Sequence, residues 1–101
     1  MNHKLLSAIS LCRKAGKLRM GMDVVREAVQ DGSAKLVLLA SDLAKRSEGQ
    51  ILAACEGRKV PVHTLPLDME ALWQVTGKKY GILAVCEDGF ARMITGLLSE
   101  I

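Results

Sequence analysis

Residues 14–27 read KAGKLRMGMDVVRE, a cationic stretch in which Gly16 and Gly21 lead into a helical pattern. Glycines ahead of a helix let the backbone approach an anion, because the first helical N–H groups are unpaired and point outward. The chemistry on offer is phosphate binding. A nucleotide phosphate does not fit the residues that follow. Gly16 and Gly21 satisfy the spacing G-x-x-x-x-G, but Met22 and Asp23 stand where a P-loop needs Lys and then Ser or Thr. An aspartate there repels the charge that the lysine would hold. No G-x-G-x-x-G follows a strand, so a dinucleotide fingerprint is missing too. A second loop of similar chemistry, TGKKYG at 76–81, carries Gly77, Lys78 and Lys79; its plainer reading is a solvated turn.

Catalytic and metal-binding patterns are weak. His3 and His63 have no Ser, Cys or Asp beside them in a recognisable motif, and no G-x-S-x-G elbow occurs. Glu87-Asp88 sits where a strand passes into a helix and is explained by Asp88 capping that helix. Cys12, Cys55 and Cys86 are odd in number, widely spaced and set among apolar neighbours, which reads as buried, reduced thiols. Zinc would need a close Cys or His pair on one turn. The expectation is a non-enzymatic protein with no cofactor and no metal.

The charge distribution supports an anionic partner. Residues 1–20 hold Lys4, Arg13, Lys14, Lys17 and Arg19 and no acid, whereas the rest of the chain has nine cations against eleven acids. One end is strongly positive although the net charge is only +3. The plain alternative is a solvated helix C-terminus, which also favours cations. With one Trp, one Tyr and one Phe, the chain cannot build the aromatic stacking sheet of an RRM or OB-fold. RNA binding would rest on backbone N–H groups, Lys, Arg and shape. Structured RNA is the expected partner, rather than DNA or a membrane. No apolar run approaches the ~20 residues of a membrane span, and the N-terminal stretch is broken by Ser7, Ser10 and Arg13-Lys14, unlike a signal peptide. The expected location is cytoplasmic.

The elements that must position these loops alternate between helix and strand. Leu5, Ile9 and Cys12 mark a first helix ended by Gly16, and KLRM is a short strand. Val25, Ala28 and Val29 stripe a second helix with Asp23 near its start and Gly32 at its stop. AKLVLLAS reads as a strand covered on both faces, as does GILAVCE. Ser47 to Gln50 matches a capping box for a helix burying Ile51, Leu52, Ala54 and Cys55. KVPVHTLP reads as an edge strand because of Pro61. Asp68 caps a short helix through Leu72 and Trp73, closed by Gly77. Phe90, Met93, Ile94, Leu97, Leu98 and Ile101 stripe the last helix. With no repeat and no linker, 1–101 reads as a single α/β domain, a three-layer α/β/α sandwich.

GMDVVREAVQDGSAKLVLLASD (21–42) resembles the signature of the L7Ae ribosomal protein family, which binds kink-turn RNA: Gly, Asn-Glu-x-x-Lys, an Ala-containing helix, Gly, then A-x-L-V-x-x-A-x-D. Lys-Val-Pro-Val (59–62) resembles the family's Val-Pro-Tyr strand, and Leu72 to Gly77 its L-G-x-A-x-G helix end. GKLRMG and DGFA (88–91) resemble the short bacterial members. The resemblance implies a four-stranded mixed sheet. It also implies contact with sharply bent RNA through Gly21, Asp23, Val24 and Glu27 and through the loop Gly77 to Tyr80. Asp23 stands where the family has Asn, Val24 where it has a Glu that reads a guanine edge, Glu27 where it has Lys, and Trp73 where it has Gly.

The expected function is binding of structured, kink-turn-like RNA, in ribosomal RNA or elsewhere, in association with the ribosome. Its expected contacts are Lys14, Lys17, Arg19, Gly21, Met22, Asp23, Arg26, Gly77, Lys78 and Lys79. The alternative is a protein-interaction module on the same fold.

Overall fold

A computed structural model describes residues 2–100. The element order is α1 (Asn2–Lys14), β1 (Leu18–Met20), α2 (Met22–Gln30), β2 (Leu36–Leu39), α3 (Lys45–Arg58), β3 (Val62–Thr64), α4 (Met69–Thr76), β4 (Ile82–Val85) and α5 (Asp88–Ser99). The four strands form one mixed sheet in the order β1-β4-β2-β3. β4 runs antiparallel to both β1 and β2, and β3 runs parallel to β2. β3 is an edge strand, as Pro61 requires.

The two central strands are buried on both faces, and their side chains alternate between two apolar layers. Leu36, Leu38, Leu83 and Val85 pack with Leu5, Ile9 and Cys12 of α1, Leu72 of α4 and Ile94 of α5. Val37, Leu39, Ile82 and Ala84 pack on the other face with Val25 and Val29 of α2 and Ile51 and Cys55 of α3. Five helices thus cover a four-stranded mixed sheet from both sides. Each fully buried Leu, Ile or Val contributes about 1.5–3 kcal/mol.

Several local expectations are corrected. The capping box at Ser47 does not form. α3 begins three residues earlier, with Ala44 at the N-cap and no side-chain cap bond. Glu48 N–H already donates to Ala44 O at 3.0 Å, so Ser47 lies inside the first turn, in a helical conformation that a capping residue cannot have. The cap of α5 is Glu87, not Asp88: Glu87 Oε1 accepts from Phe90 N–H at 2.7 Å, and Asp88 is the first helical residue. Leu52 and Met93, placed on buried stripes, are exposed because two apolar faces leave room for only part of each stripe. Ile101 lies outside the described residues.

The thiols divide. Cys12 and Cys55 are buried, and Cys86 is half-buried. Burial pushes the Cys12 thiol up to about 11, with the nearby Cys86 and Glu87 adding to the rise; burial alone raises Cys55.

Two outcomes follow from this core. Leu39→Asp places an unpaired charge between α2, α3 and the sheet and should abolish the cooperative thermal transition. A soluble variant melting like the parent would contradict the two-layer core. Thiolate is the reactive form, so a thiol reagent at neutral pH should modify Cys86 first and leave Cys12 and Cys55 until denaturant is added. Mass spectrometry of partially labelled protein reads that order directly.

Candidate nucleic-acid interface

Gly21 joins β1 to α2 in a conformation, φ +97° and ψ 152°, that residues with a side chain rarely adopt. Its N–H donates to Ile82 O at 3.0 Å, and its carbonyl accepts from Val25 N–H at 2.9 Å as the first bond of α2. As the N-cap it has no side chain to offer, so the first N–H groups of α2 are left without a side-chain acceptor. A Cβ on Gly21 would lie 3.3 Å from Cε1 of Tyr80. The loop before β4 therefore packs on the start of α2, and the two glycine-lysine segments singled out in the sequence are neighbours at this point.

That loop is fixed from within. α4 ends at Gly77, whose φ is +78° and whose N–H donates to Trp73 O at 2.9 Å. The buried Thr76 hydroxyl lies 2.7 Å from Lys78 O and 3.0 Å from Leu72 O, one donor serving two acceptors. Tyr80 N–H also donates to Lys78 O, at 3.0 Å. These bonds hold the backbone and leave Lys78 and Lys79 exposed.

The remaining cations are distributed unevenly. Arg13, at the end of α1, donates from Nη1 to Val75 O at 3.0 Å, and its Nη2 lies 3.7 Å from where a Gly77 Cβ would be. It meets one carbonyl in the last turn of α4 and lies beside Gly77, which precedes the two lysines. Sequence reasoning counted Arg13 in the positive end but did not choose it; a cation in a helix's last turn was the available signal. Lys14 borders a groove of about 450 Å³ between α1 and α4, with Leu6, Leu11, Gln74 and Val75.

Lys17 is not brought to the helix start. It precedes Leu18, which pairs with Val85, whereas Gly21 follows Met20, which pairs with Leu83. The separation is four residues of extended chain, ~13 Å. Arg19 points to the α2 side, where it shares a depression of about 300 Å³ with Val24, Glu27, Asp31 and Ser33. Its Nη1 donates to Gly16 O at 3.1 Å and to Leu18 O at 3.3 Å. Asp31 is held below the ordinary carboxylate range, first by hydrogen bonds from Ser33. Arg26 is tied to Asp23 at 3.0 Å. Met22 is half-buried against the α2–α3 layer, while Val24 and Glu27 are exposed. Among the described residues no group of three or more His, Cys, Asp or Glu could hold a metal ion.

The geometry is thus an uncapped helix N-terminus abutting an internally hydrogen-bonded loop with two exposed lysines. Residues 3–94 match the ribosomal protein L7Ae/L30e/S12e/Gadd45 family. The chain belongs to this family. Among its relatives, the RNA-binding protein YlxQ of Bacillus subtilis (strain 168) is 30% identical over 91 residues, 89% of this chain and 90% of the relative. RNA-binding protein YlxQ of Enterococcus faecium is 25% identical over 95 residues, 94% of this chain and 91% of the relative. A structure from Bacillus halodurans C, of a protein with unknown function, superposes with a TM-score of 0.88 at 30% identity, covering 95% of this chain and 97% of the other. A Giardia lamblia 15.5kD RNA binding protein shares the fold at TM-score 0.78 and 19% identity, over 99% of this chain and 86% of its own. The resemblance read in residues 21–42 is therefore a family relationship, and this L7Ae-family chain is non-enzymatic.

Gly21→Ala tests the junction. The new methyl meets Tyr80 and the backbone conformation is strained, so the variant should lose about 1–3 kcal/mol of stability. Chemical denaturation measures the loss, and the Tyr80 ring resonances should shift with it.

Proposed function

We propose that this L7Ae-family chain binds structured, kink-turn-like RNA as a single domain over 1–101, in the cytoplasm and in association with the ribosome. The observation that carries this reading is the contact of Tyr80 with Gly21. It sets the uncapped start of α2 beside Lys78 and Lys79, so backbone donors and ammonium groups face one RNA backbone. The names of the two YlxQ relatives support RNA as the ligand.

In this reading Gly21, Met22 and Asp23 supply close backbone approach, and Gly77, Lys78 and Lys79 grip the phosphates on the other side of the bend. Arg13 and Lys14 extend the positive rim around the end of α1. Arg26 joins after exchanging Asp23 for a phosphate, since an exposed ion pair is worth only ~0–1 kcal/mol. Lys17 and Arg19 meet only RNA that continues along the β1 edge. Val24 and Glu27 weaken base reading at the helix start. A second reading, a protein-interaction module, is favoured by the exposed Leu11 beside the α1–α4 groove.

Salt separates the two readings. Phosphate contacts release counterions, so affinity for a labelled kinked RNA should fall steeply with salt, whereas a protein-binding module gives little salt-dependent RNA affinity. Lys17→Glu, Arg19→Glu and Lys78→Glu together should weaken binding without unfolding the protein, with Lys78→Glu alone responsible for most of the loss. Val24→Glu with Glu27→Lys should strengthen binding by about tenfold and sharpen preference for the kinked RNA over plain duplex. Equal, negligible binding by all variants at low salt would favour the protein-interaction module.

A further inference from the structure

Trp73 is the sole tryptophan of the chain and stands half exposed, at 50%, on α4. An aromatic ring of this size usually dominates a core or an interface. Here the core has not taken it. Leu72 and Thr76 turn inward from α4, and Gln74 and Val75 line the groove beside α1. Helical spacing puts Trp73 one turn from Met69, on the same side of the helix. Met69 Sδ and Cγ are atoms that a Cβ on Gly81 would meet, at 3.1 and 3.5 Å, so this side of α4 borders the 77–81 loop. The Trp73 carbonyl also accepts the N–H of Gly77. The helix that carries the ring therefore ends at Gly77, directly before the two lysines. Glu70, the acid on the same helix, lies a turn toward its N-terminal end.

We propose that the indole of Trp73 is a stacking platform for an unpaired RNA base whose phosphates lie against Lys78 and Lys79. This rests on the RNA-binding reading and extends the interface from the start of α2, across the loop, to α4. The cations argue for the occupant: an apolar partner surface gains nothing from two exposed lysines in the loop that directly follows this helix, whereas a nucleotide presents a π-face and an anion together. Every base has such a face, so the contact adds affinity without sequence preference. It requires an unpaired nucleotide, since a base within a duplex has both faces covered.

The test uses the tryptophan as its own reporter. A fluorescently end-labelled RNA duplex with a kinked internal loop of unpaired nucleotides is titrated with the full chain. Anisotropy of the label reads binding, and indole emission reads stacking. Emission should drop by about half or more on saturation, and by much less with the same RNA made abasic at its unpaired positions. Trp73→Ala should bind the intact RNA roughly tenfold more weakly. It should match the parent on the abasic RNA, and Trp73→Phe should retain most of the affinity. Binding by anisotropy with unchanged emission, or equal affinities of Trp73→Ala and parent for the intact RNA, overturns the platform, leaves RNA binding standing and assigns Trp73 to a protein contact. Absence of any binding at low salt overturns the RNA reading and the platform with it. Should Trp73→Ala fail to fold, the emission change and the abasic comparison on the parent decide alone.

Discussion

The antiparallel register of β4 against both of its neighbours is the constraint on which the candidate interface depends. Met20 sits opposite Leu83, and Leu39 opposite Ile82. The chain therefore leaves β1 and β2, and enters β4, at one end of the sheet. Three loops that are far apart in sequence gather there, and none needs an insertion to reach the others. The register is in turn held by burial: slipping β4 by one residue would exchange Leu83 and Val85 with Ile82 and Ala84, mismatching both apolar layers. What fixes the core thus also fixes the distance between the start of α2 and the loop after α4.

At that end the backbone supplies what side chains usually supply. Gly21 can bond to Ile82, begin a helix and lie under Tyr80 because it has no Cβ. The same missing side chain leaves the helix N-terminus open to an outside anion. Across from it, the Thr76 hydroxyl and Tyr80 N–H converge on the Lys78 carbonyl. These bonds restrain the loop backbone from within, which lowers the entropy that ordering it on binding would cost. Arg13 stabilises the end of α4 and adds positive charge to the adjoining rim.

Much of this was legible in the sequence because the signals were local and strong. LVLL and ILAV announced buried strands, Asp68 and Gly77 bracketed α4, and residues 21–42 carried the family. Failures came where two local solutions had similar energies. Ser47 fitted a capping box, but the helix was free to start earlier at Lys45. Glu87 and Asp88 could each cap α5, and the residue with extended backbone took the role. The positive end was also only partly resolved. Charge counting could not say that β1 carries Lys17 to one end of the sheet and Gly21 to the other, nor that Arg13 folds onto Val75. Those facts live in strand register and helix packing. Trp73 gave no periodic signal at all, since a single large ring within a helix of only eight residues reads equally as core or surface.

The changes at the helix start bear on what kind of binding this surface can support. Glu27 lines a polar depression with Arg19 and Asp31, two carboxylates to one guanidinium, and the Arg19 guanidinium is bonded to the carbonyls of Gly16 and Leu18. In the proposed reading Val24 gives up a base-edge contact, and such a contact is worth about 1–3 kcal/mol of discrimination. The contacts that this reading keeps, backbone donors at Gly21, cations of the 77–80 loop and the proposed Trp73 platform, are all indifferent to base identity. Removing the sequence-reading element while keeping these shifts the surface toward recognising shape and unpaired bases. On the proposed reading, the RNA of this chain is selected by its bend.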